Sequence, residues 1–366
     1  MNPSQIIDVA NPSSWDRMIL NLNKVKRFSF DTEYDCFRRY YGFTLFLLSV
    51  YDGERVYLID AKKINDFSDL WNLMEDASIC KVLYSGSEDL ALLHSMGCRF
   101  RNLFDVQIAA YFANHPARGL SDLIASETGR KLNKSSQLSD WSKRPLSIEQ
   151  REYAANDVNA LLEIADKLNA RVLRAGLEGA MAEEFLCLEE VVPRDFSPKL
   201  KPFYYRDHSL EYCRVLLDAY VWRDHHARCL NVPPHYVIGN ELLEKYLFDV
   251  SEKYNIDPKG FHPKILALDN ALRDLNEIRD SFDASKVEMF QRTKTHSTKR
   301  LSRDEEANRI ELLYNPVSQR ITSQFGEVAG TYLLRNIKRQ LISGADDSGK
   351  LRKYQEKILS EMLALA

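Results

Sequence analysis

The stretch Phe28–Asp35, FSFDTEYD, decides how the first half of the chain is read. It reads as a buried strand that ends in two carboxylates, Asp31 and Glu33. Side chains two apart on a strand share a face, so both acids project together at a place where like charges repel. Something positive has to sit between them.

Working outward, RFSFDTEY, TLFLLSVYD and RVYLID are three strand candidates, and Asp52-Gly53 supplies a hairpin turn between the second and third. A helix is expected near FSDLWNLMEDA, a further strand at KVLYS, and a helix opening at SEDLALLHSM with Ser87 as its N-cap. This is a mixed α/β pattern. In REYAANDVNALLEIADKL, the residues Ala154, Val158, Leu161, Ala165 and Leu168 recur at three- and four-residue intervals, which predicts one helix with a buried stripe.

The chemistry gathers at the ends of these elements. Asp31 and Glu33 leave the first strand, Asp89 lies in the first turn of the helix after KVLYSGS, and Asp157 follows Tyr153 by one helical turn. Each has a plainer reading when taken alone: a DxE as a solvated turn, Asp89 as a helix-dipole partner, Tyr153 as half core. Taken together, four carboxylates without a basic residue among them need cations to stay ionised in one cleft. Hard oxygen ligands select Mg²⁺ or Mn²⁺ over zinc. Two such ions roughly 3.5–4 Å apart form the clamp used for in-line attack on a phosphodiester.

FDTEYD, SGSEDLALL and YAANDVNALL resemble the three exonuclease motifs of the DEDD superfamily, and the tyrosine four residues before the last aspartate resembles its DEDDy branch. Between the second and third motifs, FDVQIAAYF and GLSDLIASETGRKLNKSSQLSDWSKRPLSIEQREYAANDV are similar to the ribonuclease D family. The resemblance covers roughly Phe28 to Leu168. It implies an RNase H-like exonuclease domain, a mixed sheet flanked by helices, in which Asp31, Glu33, Asp89 and Asp157 hold two divalent cations, Mg²⁺ or Mn²⁺. It also implies that Tyr153 orients the attacking water and that the product is a 5′-nucleotide. Asp105, in FDVQ, matches a family position outside the metal set and is assigned to structural support. The family often has histidine where this chain has Tyr84, aspartate at Asn133, and a glutamine in the second strand that LFLLSV lacks; none of these changes removes a metal ligand.

Substrate contacts are expected from Lys134, Trp141 and Arg144 in KSSQLSDWSKRP, a basic and aromatic set suited to single-stranded nucleic acid, with Trp141 equally readable as a packing anchor. Tyr34 and Arg38, just after DTE, are expected to line the entry for the 3′ end.

The segment VVPRDFSPKLKPFYYRD is rich in proline and charge and reads as a linker. Beyond it, LEYCRVLLDAYVWRDHHARCLNVPPHYVIGNELLEKYL is similar to the first half of an HRDC domain, a small all-α module. The expected domains are 1–192 for the exonuclease, 193–208 for the linker, 209–285 for the HRDC-like module, and 286–366 for a basic segment and a helical end. That end includes the amphipathic TYLLRNIKRQLI and is readable as a divergent second HRDC-like bundle.

Composition sets the outer limits. The 366 residues, 45% hydrophobic and 28% charged, suit two or three globular domains, and a net charge of −3 neither requires nor excludes a basic groove. Six cysteines without a CxxC spacing disfavour a zinc or redox motif. No apolar run approaches a membrane span and MNPSQIIDVANPSSWDRM carries no secretory pattern, so a cytoplasmic protein without membrane contact is expected, as a monomer. The resemblance implies a metal-dependent 3′-5′ exoribonuclease acting on RNA, with tRNA precursors and other structured RNAs trimmed from single-stranded 3′ ends. The motifs read phosphate and metal, so they leave open a DNA exonuclease of the same superfamily and a nucleic-acid-binding module without catalysis.

Overall fold

The apolar runs of the first hundred residues enter one mixed sheet of six strands. They are β1 (Ile6–Val9), β2 (Arg27–Cys36), β3 (Phe43–Tyr51), β4 (Val56–Asp60), β5 (Cys80–Leu83) and β6 (Leu103–Asp105), in the order β1-β4-β3-β2-β5-β6. The structure is a computed structural model that describes residues 5–117, 119–132, 136–248, 260–267, 269–286, 302–343 and 351–364. Lys134 and most of the basic stretch 286–303 lie outside them.

β3 and β4 form the expected antiparallel hairpin, with Leu47 opposite Asp60 and Tyr51 opposite Val56. The Asp52 carboxylate closes the turn by accepting from the amides of Glu54 (2.8 Å) and Arg55 (2.6 Å), while Gly53 takes the positive φ of 101°. β2 runs parallel to β5, and β5 parallel to β6. The carboxyl ends of these three strands therefore share one edge of the sheet, where open α/β sheets place their sites.

Helices α1 (Pro12–Leu22), α2 (Ser68–Glu75), α3 (Ser87–Ser95), α4 (Val106–Phe112), α5 (Leu120–Thr128), α6 (Ile148–Asn159), α7 (Leu161–Ala175) and α8 (Glu178–Glu189) flank this sheet in sequence. The single helix expected across REYAANDVNALLEIADKL is two, α6 and α7, parted at Ala160. The Ser29 hydroxyl donates to the Val158 carbonyl at 2.8 Å, and a foreign donor in the carbonyl ladder bends a helix. The apolar stripe survives the bend, since Ala154, Val158, Leu161, Ala165 and Leu168 are all buried. Ser87 is the first residue of α3 rather than its cap. Gly86 holds the cap position, its amide tied to Asp105 at 3.1 Å, where a Cβ would meet the Leu83 Cδ1 at 1.9 Å.

The chain divides into two compact units, one of residues 1–33, 45–194 and 296–366, the other of residues 34–44 and 195–295. In the first, the helices after residue 302 share a core with those of the sheet region. Leu313, Val317, Ile321, Leu333, Ile337 and Leu341 belong to the same buried cluster as Val106, Phe112, Leu168 and Val172. TYLLRNIKRQLI is split between Glu327–Leu333 and Ile337–Ser343, with Asn336 at a φ of 68°. The Asn114 side chain accepts from the amides of Val328 (2.9 Å) and Ala329 (3.3 Å) and so caps the first of these helices from a distant part of the chain.

The second unit is built on the 21-residue helix Leu210–Leu230, capped by Ser209. Its core holds Leu216, Ala219, Trp222, Val237, Leu243, Ile265 and Leu275, and the Trp222 indole donates to the Ala271 carbonyl at 3.0 Å. The hairpin residues 34–44 belong to this unit, where the Tyr41 hydroxyl donates to Asp224 at 2.7 Å. Among the described residues no helix is long and apolar enough to cross a membrane.

Candidate active site

The carboxylates of β2 meet that of α6 at the carboxyl edge of the sheet. Asp31, Glu33 and Asp157 each offer an oxygen, and these oxygens lie within 4.8 Å of one another. Asp89 stands beside them on α3. Its carboxylate accepts from the Thr32 hydroxyl, and its charge acts on both Asp31 and Glu33. Tyr153, one turn before Asp157, donates its hydroxyl to that carboxylate. The structure thus brings together all five residues that the motifs single out.

Burial and mutual repulsion push these acids toward their neutral forms. Desolvation first, then the charges of Asp89 and Asp157, hold Asp31 well above the usual carboxylate range. Burial, then the charges of Asp31, Asp157 and Asp89, raise Glu33 to about 10, and burial raises Asp89 and Asp157 to about 6. Burial and the charge of Asp157 likewise keep the Tyr153 phenol protonated. No lysine or arginine offsets the repulsion among the described residues. An all-oxygen donor set with this excess of negative charge fits hard divalent cations.

Supporting residues fix the acids in place. The Asp105 carboxylate accepts from the amides of Ser85 (3.1 Å), Gly86 (3.1 Å), Gln107 (2.8 Å) and Ile108 (3.3 Å), so it shapes the turn from β5 into α3 that carries Asp89. Thr32 has no motif to mark it, and only the fold shows its hydroxyl on Asp89. Tyr84 accepts from the Gln107 amide at 3.3 Å.

Of the expected substrate contacts, Arg144 and Trp141 are engaged with the fold. The Arg144 guanidinium makes two 2.8 Å bonds to Asp60 and donates to the carbonyls of Phe46, Trp141 and Lys143, each at 2.7 Å. These bonds engage all three of its nitrogens with the fold. Trp141 is 5% exposed, its ring 6.0 Å from that of Tyr153. It packs behind the phenol. Tyr34 lies edge-on to Phe43 at 5.4 Å, and Arg38 is exposed on the same hairpin, in the second unit. Lys134 is outside the described residues.

Residues 6–173 match the family described as 3′-5′ exonuclease. Among curated proteins the chain is similar to ribonuclease D. It is 35% identical to that of Escherichia coli over 221 residues, 58% of each chain, and 41% identical to that of Cronobacter turicensis over 148 residues, 40% of each. The match with ribonuclease D of Xanthomonas oryzae reaches 61% of that protein, so the chain spans roughly two fifths to three fifths of these relatives. The fold is also that of a solved structure, E. coli RNase D, an exoribonuclease involved in structured RNA processing. The TM-score is 0.72 at 22% identity, covering 100% of this chain and 98% of that one.

Proposed function

We propose that the chain is a metal-dependent 3′-5′ exoribonuclease that releases 5′-nucleotides from single-stranded RNA 3′ ends. The observation that carries this reading is the set of three carboxylates whose oxygens lie within 4.8 Å, with Asp89 and Tyr153 beside them. Asp31, Glu33, Asp89 and Asp157 would hold two divalent cations, Mg²⁺ or Mn²⁺. When bound, these ions supply the positive charge and Lewis acidity that phosphodiester hydrolysis needs. Tyr153, kept protonated, orients the attacking water with its hydroxyl, and Asp157 fixes the direction of that hydroxyl. Trp141 buttresses the phenol, and Arg144 anchors the loop before α6 instead of binding phosphate. The substrates are RNAs such as tRNA precursors, and the enzyme works in the cytoplasm.

The test is digestion of an RNA with a short single-stranded 3′ extension, in Mg²⁺ or in EDTA, by the wild type and by Asp157→Asn. The expected result is mononucleotide release that needs both the metal and Asp157. Degradation that survives Asp157→Asn would overturn the site, and release from single-stranded DNA alone would overturn the RNA assignment.

A further inference from the structure

A cavity of about 290 Å³ lies wholly within the second unit. Phe37, Phe196, Phe203 and Tyr220 supply its aromatic walls, and Lys199, Lys201 and Arg223 its cations, of which Lys199 is paired with Asp195 at 3.0 Å. Phe37 and Phe196 meet edge to face at 4.8 Å. Arg223 is only 8% exposed and rests 4.5 Å above the Tyr220 ring. Its Nη1 donates to the Ile238 carbonyl (3.2 Å) and to Asn240 Oδ1 (2.6 Å), both neutral acceptors. Its Nε is buried with no hydrogen-bond partner.

Among the described residues no carboxylate lies within ion-pair distance of Arg223. Asp224, the acid in the same wall, is taken by the Tyr41 hydroxyl at 2.7 Å and by Arg228 at 3.3 Å. Lys201 is exposed and, among the described residues, forms no ion pair. The charges of Asp224 and Glu244 reach Arg223 only from beyond ion-pair distance; a buried guanidinium without a paired anion is costly to keep, and its planar fork matches a phosphate. Aromatic rings beside that cation suit the face of a base.

We propose that this pocket binds one nucleotide, with its phosphate on Arg223 and Lys201 and its base against the Phe37 and Phe196 rings. The volume, about 290 Å³, falls just under the roughly 300–1,000 Å³ of small-molecule sites, which admits a single nucleotide and not a run of them. The inference stands apart from the exonuclease reading, because no residue of the acidic cluster takes part. A free 5′-nucleotide and a nucleotide within an RNA strand present the same chemistry.

The experiment is equilibrium binding of fluorescently labelled 5′-AMP to the full chain in EDTA, with adenosine and a short oligoadenylate as competitors. Saturable binding is expected, with adenosine competing at least tenfold more weakly than AMP. Lys201→Glu and Phe196→Ala are expected to weaken it at least tenfold, as is Arg223→Gln if that variant folds. Competition by the oligoadenylate at or below the AMP concentration assigns the pocket to the RNA strand, and competition by AMP alone assigns it to the free nucleotide. Absence of saturable binding, or affinity unchanged in both Lys201→Glu and Phe196→Ala, overturns the proposal. Digestion of RNA in Mg²⁺ by the same preparation tests the exonuclease reading separately, so either can fail alone.

Discussion

The hydroxyl of Thr32 donates a hydrogen bond to the carboxylate of Asp89, joining the strand of the DxE motif to the helix that carries the third acid. Asp31 and Glu33 flank Thr32 in sequence, so this one bond sets the spacing between acids from two elements. Hydrogen-bond partners of metal ligands typically change metal affinity 10–100-fold when removed. Thr32→Val should therefore raise the Mg²⁺ concentration for half-maximal RNA hydrolysis about tenfold while leaving the fold intact. Titration of activity against Mg²⁺, with circular dichroism as the control, checks this, and an unchanged half-saturation point counts against it.

Without metal, the acidic cluster should make the protein less stable as pH rises. A carboxyl group whose folded pKa exceeds its unfolded value holds more protons when folded, so its stabilising effect is full below the unfolded value and is lost as pH rises through the folded one. For Asp89 and Asp157 that loss runs from about pH 4 through about 6, and for Glu33 it continues toward about 10. Added Mg²⁺ competes with protons for the same oxygens. The rise in melting temperature on adding Mg²⁺ should be larger at pH 7.5 than at pH 5, and an equal rise at both would show that the ions bind elsewhere.

Arg144 should prove a stability residue. Burial works against ionisation of Asp60, but the hydrogen bonds from Arg144 outweigh it and hold the carboxyl below its usual range. Removing one partner of a largely buried pair costs about 3–5 kcal/mol. Arg144→Ala is expected to lower the urea midpoint accordingly, with the KM for a short single-stranded RNA unchanged. A raised KM at unchanged stability would return Arg144 to the substrate.

Glu184 ties the last helix to the rest of the first unit. It is 4% exposed, pairs with Arg335 and with Arg352 (3.4 Å), and accepts from the Tyr354 hydroxyl at 2.8 Å. Glu184→Ala leaves two cations facing a cavity and should destabilise the first unit by about 3–5 kcal/mol. Limited proteolysis should then cut first in the region after residue 302. Cleavage there at the wild-type rate would contradict the contact's importance.

Much of the sheet was legible because its signals are local. The Asp52-Gly53 turn and the strands on either side of it declare themselves within a few residues, and the DxE and YxxxD spacings each place two groups on one face. β1 and β6 are four and three residues long, too short for alternation to announce them. The break at Ala160 was invisible because its cause, the Ser29 hydroxyl, comes from 129 residues away. Trp141 and Arg144 carry the residue types of a nucleic-acid groove, and only their partners, Tyr153 and Asp60, reveal packing and pairing instead.

The sequence by itself determined which acids are present, how they are spaced along strand and helix, and that so much negative charge calls for cations. Helical and strand periodicity carry that information within a single element. The tertiary structure decided that Asp31, Glu33 and Asp157 meet, that Thr32 steadies Asp89, and that the helices after residue 302 are buried in the same core as Phe112 and Leu168. It also decided that the hydrogen bonds of the buried Arg223 guanidinium go to the Ile238 carbonyl and the Asn240 side chain. Such facts depend on residues far apart in the chain, and packing is what brings them within bonding distance.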